Sequence, residues 1–185
     1  SKQPLPTKQQ LAWHNSEYYL FTHFGPNTFT DKEWGHGDEP EDIFNPTQLD
    51  CRQWCRIAKA AGATGIIITA KHHDGFCLWP TKYSDYNIMN SPFKRDVIGE
   101  LAKACKKNGI KFCIYFTILD WHDNDYPLHN LGDSVPDSKA NMPAFVKKIK
   151  NQLTELITNY HPYVFWFDGN WEKPWTLEYG QEVYS

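Results

Sequence analysis

The sequence predicts an α/β protein built on a parallel sheet, and three observations carry that reading. Four short runs rich in β-branched and aromatic residues recur along the chain, and segments of helical periodicity separate them. Each run also exits into polar or aromatic side chains.

The first run, "YYLFTHFG" (18–25), exits at His23, and the second, "GIIITA" (65–70), runs into His72 and His73. The third, "IKFCIYFT" (110–117), carries Tyr115 toward Asp120 and Trp121; the fourth, "YVFWFDG" (163–169), ends on Asp168 and Gly169. Composition marks all four as strands. Asp50 with Gln53 reads as a capping box opening the first helix, with Leu49, Trp54, Ile57, Ala58 and Ala61 at core-facing spacing and Gly62 as its stop. Asp96 caps a second helix that turns Ile98, Leu101, Ala102 and Cys105 inward before Asn108-Gly109. A third runs from about Pro143 to Tyr160, with Phe145, Ile149, Leu153, Leu156 and Ile157 on one face. The order is β-α-β-α-β-α-β, which fits a doubly wound sheet or a (β/α)8 barrel. No G-x-G-x-x-G or G-x-x-x-x-G-K-[ST] follows a strand, so the usual nucleotide site of a doubly wound sheet is missing.

Composition narrows the function classes. At 41% hydrophobic and 22% charged residues, the chain reads as globular. A formal charge of -3, spread evenly, does not suit a nucleic-acid or anionic-membrane surface. No apolar stretch approaches the ~18 residues of a membrane span. The opening "SKQPLPTKQQ" has no hydrophobic signal core, so a targeting segment is expected to be removed or absent. Five cysteines, without CxxC pairs, read as small buried hydrophobes. Eight Trp, ten Tyr and eleven Phe exceed the needs of one core, so some are expected in a surface or pocket.

In parallel α/β architectures the carboxyl ends of neighbouring strands gather on one face, where ligands bind. Adjacent strand residues point to opposite faces, so His72 and His73 reach one ligand only if the chain turns there, and Gly75 supports a turn. Two chemistries suit a cluster of His23, His72, His73 and Asp168. Histidines and aspartate can bind zinc, although "HHD" lacks the H-x-H alternation common in barrel metal sites. Neutral imidazoles can instead bond sugar hydroxyls while aromatic rings pack on the sugar's apolar faces. The tryptophan surplus favours the sugar. Asp168, at the top of a buried strand beside a glycine, suits a glycosidase nucleophile. Trp171 and Trp175 in "NWEKPW" read equally as loop packing or as sugar contacts.

Seven segments, in order and properly spaced, carry a resemblance to a known family: "FTHFGPNTF", "KEWGHG", "FNPTQLDCRQWCRIAKAAGA", "AKHHDGFCLWPTKYSDYN", "SPFKRDVIGELAKACKKNGIKFCIYF", "LDWH" and "QLTELITNYHPYVFWFDG". Over nearly its whole length the chain resembles the amino-terminal part of the catalytic domain of α-L-fucosidases of glycoside hydrolase family 29. The resemblance implies a (β/α)8 TIM barrel and a retaining glycosidase that releases α-L-fucose and needs no metal or organic cofactor. Asp168 then matches the nucleophile, and His23, His72, His73, Glu33 and Trp34 match residues that hold the sugar's hydroxyls and ring. Tyr115 matches the tyrosine of the third-strand motif, where this chain has Thr117 at a position more often serine, and Trp171 matches an aromatic near the sugar. The wording "TFTDKEWGHG" is closer to the subgroup favouring α-1,3/1,4-linked fucose.

A (β/α)8 barrel takes about 250 residues and at least about 200. Four strands in 185 residues are therefore expected to be the amino-terminal half of a truncated barrel that requires its remainder. The resemblance puts the general acid/base on a later strand or loop, and Glu172 and Glu178 follow the nucleophile too soon for that role. The expected partner is a fucosylated glycan, with neither nucleic acid nor membrane, and the expected location, by family habit, is periplasmic or secreted. Two other readings stay open: a metal-dependent amidohydrolase-like barrel using His72, His73, Asp74 and Asp168, and a non-catalytic fucose-binding remnant.

Overall fold

The computed structural model describes residues 7–14, 18–129 and 135–185. Strands β1 (Tyr19–Thr22), β2 (Gly65–Lys71), β3 (Lys111–Thr117) and β4 (Val164–Asp168) form one parallel sheet in the order β1-β2-β3-β4. Spatial order that follows sequence order suits a barrel wall; a doubly wound sheet reverses at a switch point. Helices α2 (Cys51–Ala60), α3 (Val97–Asn108) and α4 (Met142–Tyr160) connect the strands, with α1 (Lys8–His14) before and α5 (Leu177–Tyr184) after.

Alternation divides the sheet into two faces. Ile66, Ile68 and Ala70 of β2 and Phe112, Ile114 and Phe116 of β3 enter the core with Cys55 and Ala58 of α2, Ile98 and Leu101 of α3, and Phe145, Ile149 and Leu156 of α4. The other face carries Phe21, Ile67, Tyr115 and Trp166. Helix ends are capped as their residues dictate: Asp50 accepts from Arg52 N–H (2.9 Å) and Asp96 from Gly99 N–H (2.9 Å). Asn141 accepts from Ala144 N–H at 3.2 Å. Gly109 closes α3 in the left-handed region at φ 65°.

Three residues expected on core-facing stripes lie outside: Ala61 is exposed, and Ile57 and Ile157 are 52% and 54% exposed. On α2 the inward stripe is Cys51, Cys55 and Ala58, and Ile57 lies about 200° around the helix from Cys55. On α4 each four-residue step from Phe145 advances about 40°, so by Ile157 the stripe has rotated off the core. β1 is also shorter than the run that predicts it. Past Thr22 the Thr69 hydroxyl takes over from the backbone ladder, accepting from Phe24 N–H and donating to Phe24 C=O, each at 3.0 Å. All five cysteines are free and buried, with Cys55 Sγ and Cys105 Sγ 3.8 Å apart between α2 and α3.

Candidate active site

The exit of β1 from its ladder brings His23 to the carboxyl edge of the sheet, its ring 4.5 Å from that of His72. His72 and His73 follow β2, where the pairing with β3 shifts between Thr69 and Lys71. A turn does bring both imidazoles to one side. Gly75 N–H donates to His72 C=O (3.1 Å) with Gly75 at φ 84°, and a Cβ there would meet Asp120 Oδ1 at 2.1 Å, so only glycine fits. The ring centroids of His72 and His73 are 4.3 Å apart, and His72 stacks on Tyr115 at 5.6 Å.

Lys71 goes the other way and is wholly buried. Its ammonium lies 3.6 Å from Asp120 Oδ2 and donates to Leu119 C=O at 3.2 Å. Lys148 of α4 shares Asp120 at 3.3 Å and also pairs with Asp123. This buried ion network anchors the turn from beneath. Asp74 also turns away from the histidines: its Oδ1 accepts from Phe76 N–H, and Gly35 packs so closely that a Cβ would meet its Oδ2 at 2.5 Å. Burial pushes the Asp74 carboxyl up to about 7. Among the described residues, no three His, Cys, Asp or Glu side chains converge to hold a metal ion. The donor set that the amidohydrolase reading needs is not assembled, because Asp74 does not face it.

Asp168 ends β4 opposite Thr117. Tyr115 OH donates to its Oδ2 at 2.6 Å, while Gly169 N–H (2.7 Å) and Trp171 Nε1–H (3.2 Å) donate to Oδ1. Burial acts to raise the Asp168 pKa, but these hydrogen bonds and the neighbouring His73 outweigh it and hold the carboxyl below the usual range. The carboxylate is ionised and aimed. The histidines are neutral: burial first, then the neighbouring imidazoles, takes His72 down to about 3, and burial takes His73 to about 4 against the opposing pull of Asp168. Burial also lowers His23, with Glu33 opposing. His72 Nδ1 is buried without a protein partner, a polar atom available to a hydroxyl.

Of the residues expected in the site, the structure brings together His23, His72, His73, Tyr115, Asp168 and Trp171. Glu33 borders them through its charge on His23, and Trp34 is half-buried against the hydrophobic core. The Asn27 amide fastens their loop, donating to Glu33 C=O at 3.0 Å and lying 3.5 Å from His23 Nε2. Sequence reasoning missed Asn27, and it missed Trp166, which pairs with Tyr115 in register and is 45% exposed. Counting back two residues from Asp168 along the strand would have found Trp166. Glu172 is buried and occupied, accepting from Trp121 Nε1–H (3.2 Å) and Tyr126 OH.

The sequence profile of the alpha-L-fucosidase family matches residues 5–184. Alpha-L-fucosidase 1 of Arabidopsis thaliana is 43% identical over 170 residues, covering 90% of this chain and 31% of that protein. The human plasma alpha-L-fucosidase is 34% identical over 134 residues, covering 71% and 28%. The chain thus spans about a third of the length of these relatives. Among solved structures, a glycoside hydrolase 29 family member from an unknown rumen bacterium superposes with a TM-score of 0.79 at 46% identity, over 90% of this chain and 28% of that one. A Bacteroides thetaiotaomicron GH29 alpha-L-fucosidase, trapped as a covalent intermediate with 2-fluoro-fucosyl fluoride, gives 0.79 at 31% identity, over 99% and 47%. These neighbours have TIM-barrel catalytic domains, and the four parallel strands are about the first four β/α units of that barrel. By profile, sequence and structure, the chain belongs to the alpha-L-fucosidase family.

Proposed function

We propose that this chain carries the nucleophile half of a retaining α-L-fucosidase active site, with Asp168 as nucleophile. The observation that carries the reading is the environment of that carboxylate: ionised, held by three donors and with the neutral imidazole of His73 3.8 Å away at the carboxyl edge of the sheet. A carboxylate oxygen attacks the anomeric carbon, forming the glycosyl ester as the bond to the leaving oxygen breaks; water later attacks the same carbon and releases fucose and the carboxylate. His23 and His72 have ring nitrogens to offer the sugar hydroxyls, and His73, whose Nδ1 meets Thr117 Oγ1 at 2.9 Å, offers Nε2. Tyr115, Trp166 and Trp171 give aromatic surface for its apolar face.

The leaving oxygen needs a proton donor. Glu172 is engaged with Trp121 and Tyr126, and the family resemblance puts the general acid/base on a later strand or loop; we therefore assign it outside these four β/α units, with residues 1–185 as the amino-terminal half of the catalytic domain. The motif "TFTDKEWGHG" supports a preference for α-1,3/1,4-linked fucose, which release rates from branched and from α-1,2-linked oligosaccharides test directly.

Asp168→Gly in the intact protein tests the nucleophile. Turnover of an activated aryl α-L-fucoside should fall by roughly a thousandfold or more. Azide should restore part of it by taking the carboxylate's place, yielding a fucosyl azide of inverted configuration. Near-normal turnover by the variant without azide would falsify the assignment.

A further inference from the structure

Thr117, in the third-strand motif, is wholly buried, and its Oγ1 lies 2.9 Å from His73 Nδ1. The other ring nitrogen, Nε2, lies 3.8 Å from Asp168 Oδ2. Because His73 is neutral, one of its nitrogens carries a proton and the other a lone pair.

The Thr117 hydroxyl has one proton and two acceptors within reach. His73 Nδ1 is the nearer at 2.9 Å; Asp168 C=O is at 3.4 Å and already accepts from Ile118 N–H at 2.8 Å. Donation to Nδ1 makes the better bond, and it puts the imidazole proton on Nε2, facing the Asp168 carboxylate. The opposite tautomer would set the Nε2 lone pair against that carboxylate. Gly169, at φ 92°, leaves Thr117 its place, since a Cβ there would meet Thr117 Oγ1 at 2.7 Å. Only 8% of His73 is exposed, so water has little access to replace this partner.

We propose that Thr117 is a positioning residue that fixes His73 as the Nε2–H tautomer, so that His73 meets the sugar hydroxyl on the carbon next to the anomeric centre as a donor, beside Asp168. That hydroxyl accepts from His73 Nε2–H; Oδ1 of Asp168 already accepts from Gly169 and Trp171, so the lone pair of Oδ2 not used by Tyr115 stays free for the anomeric carbon. As the carboxylate gives up its charge to the anomeric carbon, its pull on Nε2–H from 3.8 Å falls and the bond from Nε2–H to the hydroxyl strengthens, so the contact acts on the chemical step more than on binding. The identity of the hydroxyl rests on the fucosidase reading; the tautomer does not.

The tautomer is read without substrate, from long-range proton–nitrogen correlations of the intact protein labelled with 15N-histidine. The His73 signals are identified by their loss in His73→Gln. The expected pattern is a protonated Nε2 and a bare Nδ1, retained in Thr117→Ser and lost in Thr117→Val, whose side chain has nearly the same shape. With an aryl α-L-fucoside, Thr117→Val should lower kcat roughly tenfold or more with little change in KM, and Thr117→Ser should restore it. The 2-deoxy fucoside should be poor for the wild type but no poorer for Thr117→Val, because the contact from His73 is already gone. A protonated Nδ1 in the wild type overturns the proposal whether or not the valine variant folds, as does a valine variant with unchanged spectrum and kcat. A wild type with protonated Nε2 that turns over no α-L-fucoside sinks the fucosidase reading and supports the tautomer assignment.

Discussion

On the helix-covered face of the sheet, Ile66, Ile68, Ala70, Ile114 and Phe116 are all 0% exposed, whereas the other face mixes buried Ile67, Thr69 and Cys113 with Phe21 and Trp166, which are 47% and 45% exposed. The two faces share one backbone, and β3 shows the division residue by residue: Ile114 goes to the core, Tyr115 to Asp168. Side chains on the first face are chosen for volume and shape. Those toward the carboxyl edge of the second are chosen for what they donate, accept or stack upon. Stability and chemistry are therefore separable along a single strand, and substitution of neighbours should expose the separation.

The largest effect is expected from Ile114→Ala, which removes a fully buried side chain and should lower the unfolding free energy by about 2–5 kcal/mol. Its kcat/KM under conditions where the protein stays folded should change little. Denaturant midpoints and kinetics on one preparation check both, and a large loss of turnover without loss of stability would erase the contrast between the faces. His72→Ala should show the reverse. Removing the imidazole whose Nδ1 has no protein partner should weaken fucose binding by about 1–3 kcal/mol in calorimetry while thermal unfolding moves little.

Tyr115→Phe is the finest probe. The Tyr115 hydroxyl is one of the donors that hold Asp168 below the ordinary carboxylate range. A depressed carboxylate keeps its charge, and the activity that depends on it, above its pKa and loses both as pH falls through that pKa. Without the hydroxyl the Asp168 pKa rises, so the acid limb of the kcat/KM profile should move upward by about one pH unit. An unmoved limb would show that the other donors and His73 set the charge alone.

These contrasts also explain what could be read in advance. "GIIITA" announces β2 because a strand buried on both faces is apolar throughout, and the two faces of Asp168 and His72-His73 are legible because polar groups there contradict the run before them. Ile57 and Ile157 misled because an isoleucine near a stripe looks the same from the sequence whether or not a neighbour covers it. Asn27 and Thr117 act through contacts across 4 and 44 residues, and the longer pairing exists only once β2 and β3 are side by side. The short helices α1 and α5, of 7 and 8 residues, offer too few turns for a periodic signal to stand out.

Four thiols packed behind the sheet, those of Cys51, Cys55, Cys77 and Cys105, give the fold a clock of its own. Burial takes Cys51 and Cys77 up to about 12 and Cys113 to about 11, and raises Cys55 and Cys105 as well, so none presents a thiolate at neutral pH. A thiol reagent can react only when the chain opens. The rates at which Cys51, Cys55, Cys77 and Cys105 of the native protein take up a maleimide, mapped peptide by peptide, should therefore report the opening of the helix-covered layer, separately from Cys113 on the opposite face, and without a single engineered label.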